Sequence, residues 1–313
     1  MNNKQKTKKI EADADYTDIT TGEVIKGEEL INRLEKIKTN KQKEKEEEIK
    51  EKKKCETYLV KNYGSFYFLI WGRFCGIDKN FNSNKTFEDY NPSLMVRFLR
   101  LCCCMDYDSG ILVYKKGNKK VPMERKQVFK ALDVSEKEFN RTIKYLKEEN
   151  LLTVDNDTYM INTIYTVKGA LQLSIKKKIE IGLIRTFEYG FKYVYDHMKT
   201  RERPSLFHLI KLLPYVNINY NIICHNPLET EYYKIEPMTP MEIRKMICKD
   251  NTQSKKVLES FLDINLEGKG LLAYIRTKGE EKIILNPSLF YGGTREEDVK
   301  EIERLMNEES NSK

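Results

Sequence analysis

A chain of 313 residues that is 40% hydrophobic and 11% aromatic can bury one or two sizeable cores, which excludes wholesale disorder and a small disulfide-stapled scaffold. Its 56 Lys and Arg against 48 Asp and Glu give a formal net charge of +8, a balance that favours a polyanionic partner. No apolar run approaches the roughly 18–20 residues of a membrane span, and the opening MNNKQKTKKI lacks the apolar stretch and cleavage site of a secretory signal; the expectation is a cytoplasmic protein with no membrane contact.

Residues 1–57 read as a charged N-terminal arm or linker. ADADYTDITTGEVIKGEE holds turn chemistry at Thr21 and Gly22 between short β-prone pieces, the pattern of a small hairpin. EELINRLEKIKTNKQKEKEEEIKEKKK follows, nearly all charge, with Leu30, Ile31, Leu34 and Ile37 as its only apolar stripe. Blocks of Lys and Glu of this kind predict a solvated helix or a flexible linker.

From residue 58 to 170 the pattern predicts a first compact domain. LMVRFLRLCCCM is helical by its period of Leu94, Phe98, Leu101 and Met105, and a polar, Gly-bearing stretch containing KKGNKK (115–120) follows as a loop. ERKQVFKAL reads as a short helix, Asp133 and Val134 as a turn. Ser135 with Glu138 forms a capping-box pattern opening SEKEFNRTIKYLKEEN, with Phe139, Ile143 and Leu146 on one face. LLTVD and TYMIN then read as two strands joined at Asn156 and Asp157.

A second domain, residues 171–293, repeats this order. SIKKKIEIGLIRTFEYGFKYVYDHM reads as a connecting helix exposing Lys176, Lys177 and Lys178. SLFHLIKLL precedes TPMEIRKMI, capped by Thr239 with Pro240 at its first position. TQSKKVLESFLDI is the next helix, and LLAYIRT with EKIILN makes the hairpin around Lys278 and Gly279. Local identities support a duplication: YGSFYFLIW against YGFKYVYDH, PSL at 92 against PSL at 204, VPMERKQVFKAL against EPMTPMEIRKMI, ENLL against KGLL, and INTIYTVKG against LNPSLFYGG. From the PSL pair onward their offset grows from 112 to 124 residues with the order kept, as insertions in surface loops of a duplicated domain produce. The last pair reads as the chain's exit from a hairpin through an Asn- and Gly-permitted bend. Residues 294–313 form a closing helix and tail, acidic outside, with Val299, Ile302, Leu305 and Met306 as its stripe.

Helix, short helix, turn, capped helix, hairpin is the order of a winged helix-turn-helix. The expected fold is therefore α+β and mainly helical: two tandem winged helix-turn-helix domains between a charged arm and a C-terminal helix. Candidate DNA contacts in the first are Ser135, Lys137, Asn140, Arg141 and Lys144 on the outer side of the capped helix, and Lys116, Lys119 and Lys120 on the lysine loop. Between Lys115 and Asn150 eleven Lys or Arg face six Asp or Glu. In the second, Gln253, Ser254, Lys255 and Lys256 occupy the start of the equivalent helix, and Arg276 and Lys278 flank the hairpin tip.

Catalysis is not expected. No GxxxxGK(S/T) run is present, and His197, His208 and His225 lie far apart. Cys102, Cys103 and Cys104 are adjacent and fan about 100° apart on a helix, so they cannot close around one metal. Cys224, His225 and Cys248 sit among Ile222, Ile223, Met246 and Ile247 and read as core. Neither metal nor cofactor is implied.

The apolar helix, helix-turn-helix, Asn-containing strand and closing Gly of YMINTIYTVKG and IILNPSLFYGG resemble the winged-helix replication proteins of plasmids and phages of low-GC Gram-positive bacteria, the RepL type in particular. TGEVI and LLPYVNINYNIICHNPLE resemble the same group. The chain departs from that pattern in being doubled and in carrying the charged arm. The resemblance implies a non-enzymatic, sequence-specific binder of double-stranded DNA, a replication initiator, with host replication proteins and a second copy of the chain as further candidate partners. A transcriptional regulator, a partition protein that binds a centromere, or a module that binds a host protein are the alternatives.

Overall fold

Two five-residue runs, FYFLI and LIRTF, combine aromatic and β-branched residues that fit a pleated surface buried on both sides. In the computed structural model, which describes residues 14–17, 23–78, 85–169, 182–248, 250–266, 268–277 and 280–310, they are neighbouring strands of one sheet. The protein is a mixed α+β structure. The chain divides into two compact units, residues 1–55 and 56–313.

In the first unit β1 (Asp15–Thr17) pairs antiparallel with β2 (Val24–Lys26), the hairpin anticipated there. Helix α1 (Gly27–Tyr63) starts in this unit and ends in the next; residues 32–50 of it are exposed throughout. Pairs such as Glu29 with Arg33, 2.8 Å apart at i and i+4, are what support a helix that is polar all round.

The second unit is organised on a four-stranded sheet of order β12-β9-β3-β8, with β3 (Phe66–Ile70), β8 (Thr166–Val167), β9 (Leu183–Phe187) and β12 (Phe290–Tyr291). The central pair β3 and β9 is antiparallel, Phe68 opposite Arg185. Phe68 also faces Val167 on one side, as Arg185 faces Tyr291 on the other. Leu69 with Thr166 repeats as Thr186 with Phe290. An antiparallel pair has a local two-fold axis, so these registers relate the two halves of the sheet by an approximate two-fold.

The equivalence extends beyond the sheet. The backbone bond from Leu112 N to Tyr159 O (2.8 Å) recurs from Ile223 N to Ile283 O (2.9 Å). Ile161 N to Gly110 O (2.8 Å) recurs as Leu285 N to Asn221 O (3.0 Å), and Met123 N to Leu112 O (2.7 Å) as Met238 N to Ile223 O (3.0 Å). Gly110 and Asn221 both adopt positive φ, +70° and +53°, and a Cβ on Gly110 would lie 2.5 Å from the Ile161 carbonyl oxygen.

Asn162 and Asn286 make matching sets of bonds where each hairpin ends. Their amide nitrogens donate to the carbonyls of Asn150 (2.8 Å) and Gly270 (2.9 Å), and their Oδ1 atoms accept from the backbone N–H of Ile164 and Ser288, both at 3.0 Å. The two similar stretches therefore lock the same bend, after which each chain supplies an edge strand, β8 or β12.

Helix α2 (Pro92–Cys102) is capped by Asn91, whose side chain accepts from Leu94 N. It packs against a 3₁₀ turn at Arg203–Leu206 and helix α6 (Phe207–Leu212), which occupy the equivalent place in the second copy. Helix α5 (Glu188–His197) precedes them. The chain after α2 forms an unanticipated hairpin, β4 (Val113–Lys116) with β5 (Lys119–Pro122). Helices α3 (Arg125–Leu132) and α4 (Glu136–Glu148) and hairpin β6 (Leu152–Asp155) with β7 (Thr158–Ile161) follow. In the second copy the order returns as α7 (Pro240–Ile247), α8 (Asn251–Asp263) and hairpin β10 (Leu272–Thr277) with β11 (Glu280–Leu285). Helix α9 (Glu296–Ser310) closes the chain with Val299, Ile302, Leu305 and Met306 all buried.

Two sequence expectations need correction. LIRTF is a central strand and not part of a connecting helix, because its alternating sides are both covered; the segment holding Lys176, Lys177 and Lys178 lies outside the described residues. YGFKYVYDH lies in α5 while YGSFYFLIW leads into and through β3, so that one repeat match is false and the true equivalent of β3 is β9.

His208 on α6 is half-buried, and its Nδ1 has no hydrogen-bond partner among the described residues. Burial, reinforced by the Lys211 ammonium, lowers its pKa from 6.5 to about 4. Above pH 6.5 the ring is neutral folded and unfolded. As pH falls from about 6.5 to about 4 only the unfolded chain takes up the proton, so stability is lost across that window, by at most about 3 kcal/mol. His208→Leu should flatten that part of the urea-unfolding profile against pH relative to the native chain.

Candidate nucleic-acid interface

The α3–α4 corner begins with the sequence ERKQ. Glu124 and Gln127 cap α3 reciprocally, and the helix stops at Asp133, whose φ of +49° is left-handed. Asp133 is held by Arg203, which donates to its carbonyl oxygen (3.1 Å) and its carboxylate (2.8 Å). The Tyr195 hydroxyl donates to the Leu132 carbonyl at 2.7 Å. Ser135 then caps α4 by accepting from Glu138 N at 3.4 Å. The reciprocal half of the anticipated capping box is absent: the Glu138 carboxylate bonds Arg97 at 2.8 Å, and that bond holds its pKa below the usual carboxylate range.

Phe139, Thr142 and Leu146 point inward, leaving Lys137, Asn140, Arg141 and Lys144 exposed on α4. Sequence reasoning missed Arg125, whose guanidinium lies 4.6 Å from the Phe139 ring centroid and donates to Glu136 (3.0 Å) and Asn140 Oδ1 (3.1 Å). The Asn140 amide nitrogen is left as a donor on the outer face. Arg141 pairs with Glu138 at 3.6 Å and Lys144 with Glu148 at 3.8 Å; Lys137 makes no ion pair among the described residues.

KKGNKK is a hairpin and not a loop, and it lies ahead of α3 as expected. Gly117 supplies the positive φ (+62°) of its two-residue turn. Lys116 and Lys119 are exposed, and Lys120 pairs with Asp106 at 2.6 Å, raising the lysine pKa and lowering that of the carboxyl. The hairpin that does follow α4 has an acidic tip: Asp155, Asn156 and Asp157, the last two at φ +44° and +61°.

In the second copy Thr239 and Glu242 complete a capping box on α7, and Asp250 caps α8 by accepting from Gln253 N at 2.7 Å. Gln253, Lys255 and Lys256 are exposed, with Lys255 paired to Glu259 at 3.7 Å. Ser254 is fully buried and leaves the candidate surface. It precedes Val257, Leu258 and Phe261 by three, four and seven residues, the inward face of the helix, a signal present in the sequence. Arg276 is exposed and pairs with Glu281 at 2.8 Å, and Lys278 lies outside the described residues. Among the described residues no helix is long and apolar enough to cross a membrane. Comparison with protein-family models, with curated proteins and with solved structures found no match for this chain.

Proposed function

We propose that this chain is a sequence-specific double-stranded DNA-binding protein built from two tandem winged helix-turn-helix domains, residues 58–170 and 171–293, and that it serves replication initiation on a plasmid or phage. The observation that carries the reading is the recurrence of a short helix, a capped helix and a hairpin in the same order, the hairpins tied to the rest of each copy by matching backbone bonds, with polar or cationic side chains on the outer side of both capped helices. A helix so placed suits insertion into the major groove, with its N-terminal residues at base edges. Lys137 and Asn140 on α4 and Gln253 and Lys256 on α8 would be the readers.

The acidic hairpin tip and the paired state of Arg141, Lys144 and Lys255 favour a second reading, a module that binds a host protein. Selection from a random-sequence duplex pool separates them. Enrichment of one common site supports the DNA reading; recovery of no preferred sequence, with duplex affinity indifferent to salt, sinks it.

A further inference from the structure

Arg141, Lys144 and Lys255 on the capped helices pair with carboxylates of their own helix, whereas around β4, β5 and α3 five lysines do not. Lys115, Lys116 and Lys119 on the hairpin and Lys126 and Lys130 on α3 are exposed, and none of them makes an ion pair with a described residue. Lys115 stands directly across from Lys120, and Lys116 from Lys119. Like charges opposed across a strand pair destabilise it, and of the four only Lys120 has a carboxylate to offset this among the described residues.

The second copy gives an internal comparison. Cys224 and Pro237 bridge as Val113 and Pro122 do, yet the loop between them holds Glu229, Glu231 and Glu236 against the single Lys234. The positive excess belongs to one copy only. Between β4 and α3 lies an open groove of about 1160 Å³, walled by Lys115 on one side and Lys126 and Lys130 on the other. Arg100, Cys103 and Cys104 form its floor. Arg100 and Lys192, also in its lining, pair with Asp196 at 3.4 and 2.8 Å, so among the described residues Lys115, Lys126 and Lys130 are the groove's unpaired cations.

We infer that this groove and the hairpin tip beside it receive the phosphodiester backbone of the bound duplex, with Lys115, Lys126 and Lys130 as counter-charges in the groove and Lys116 and Lys119 at the tip, and that the second copy has no such contact. The inference rests on the DNA reading above and makes the contact one-sided: both copies offer a helix, and the first alone grips the backbone.

The test uses the full chain and a mixed-sequence duplex of about 30 base pairs, about three helical turns. Affinity is measured from about 50 to about 200 mM salt for the native protein, for K115Q/K116Q/K119Q and for K126Q/K130Q. At about 0.9 per phosphate contact, the slope of log affinity against log salt should shrink by about 2.7 in the triple variant and about 1.8 in the double. The triple variant should unfold at the same or a higher temperature, because the cross-strand repulsion is relieved. Native slopes in both variants overturn the groove assignment alone. A native protein that binds no duplex overturns the DNA reading and this inference with it, so the two failures are distinct.

Discussion

Arg185→Ala is expected to destabilise residues 56–313 by about 3–5 kcal/mol, the combined effect of a cavity in a packed centre and a buried carbonyl left without its donor. The side chain is 2% exposed. It donates to the Gly293 carbonyl at 2.7 Å, reaches the Glu56 carboxylate at 3.3 Å, and lies 5.6 Å from the ring centroids of both Phe66 and Phe68. Because β9 is the central strand that joins the two copies, the loss should appear as one shifted urea transition rather than as release of the second copy alone. Arg185→Met, which restores most of the volume but not the hydrogen bonds, should recover part of the loss. An unshifted midpoint for the alanine variant would show that this strand does not hold the halves together.

The second large effect concerns recognition. Lys137→Ala combined with Asn140→Ala should leave the unfolding midpoint near that of the native chain, since both side chains are exposed. The same variant should lose about 1–3 kcal/mol of discrimination at one base pair through the Asn140 amide. Removing Lys137 should lower the salt slope by about 1 if that lysine meets a phosphate. Competition between the selected duplex and single-base variants of it measures both. Undiminished discrimination would take α4 out of the major groove.

Much of the fold was legible because its signals are local. Ser135, Thr239 and Pro240 mark helix starts through hydrogen bonds and φ preferences that need no tertiary context, and Asn162 and Asn286 announce the two matching bends. The hairpin β4–β5 was not legible: strands are depleted in Lys, and a run of four lysines around Gly117 has no apolar alternation to expose a period of two. Strand β9 was hidden for a related reason, since a buried Arg in LIRTF reads as a solvated helix face until Gly293 and Glu56 are seen beside it. Burial of Ser254 could have been inferred from its spacing to Phe261. The pairing of Arg141 and Lys144 could not have been weighted from sequence, because i,i+3 and i,i+4 carboxylates are common and only geometry says which ones engage.

Hydroxyl-radical footprinting of the full chain on its selected duplex tests most directly whether both copies engage DNA. Two protected segments on one face, centred about one helical turn or 10–10.5 base pairs apart, are expected, and K255A/K256A should erase one of them while K137A/N140A erases the other. A single protected segment, or a footprint that neither variant changes, would contradict the account.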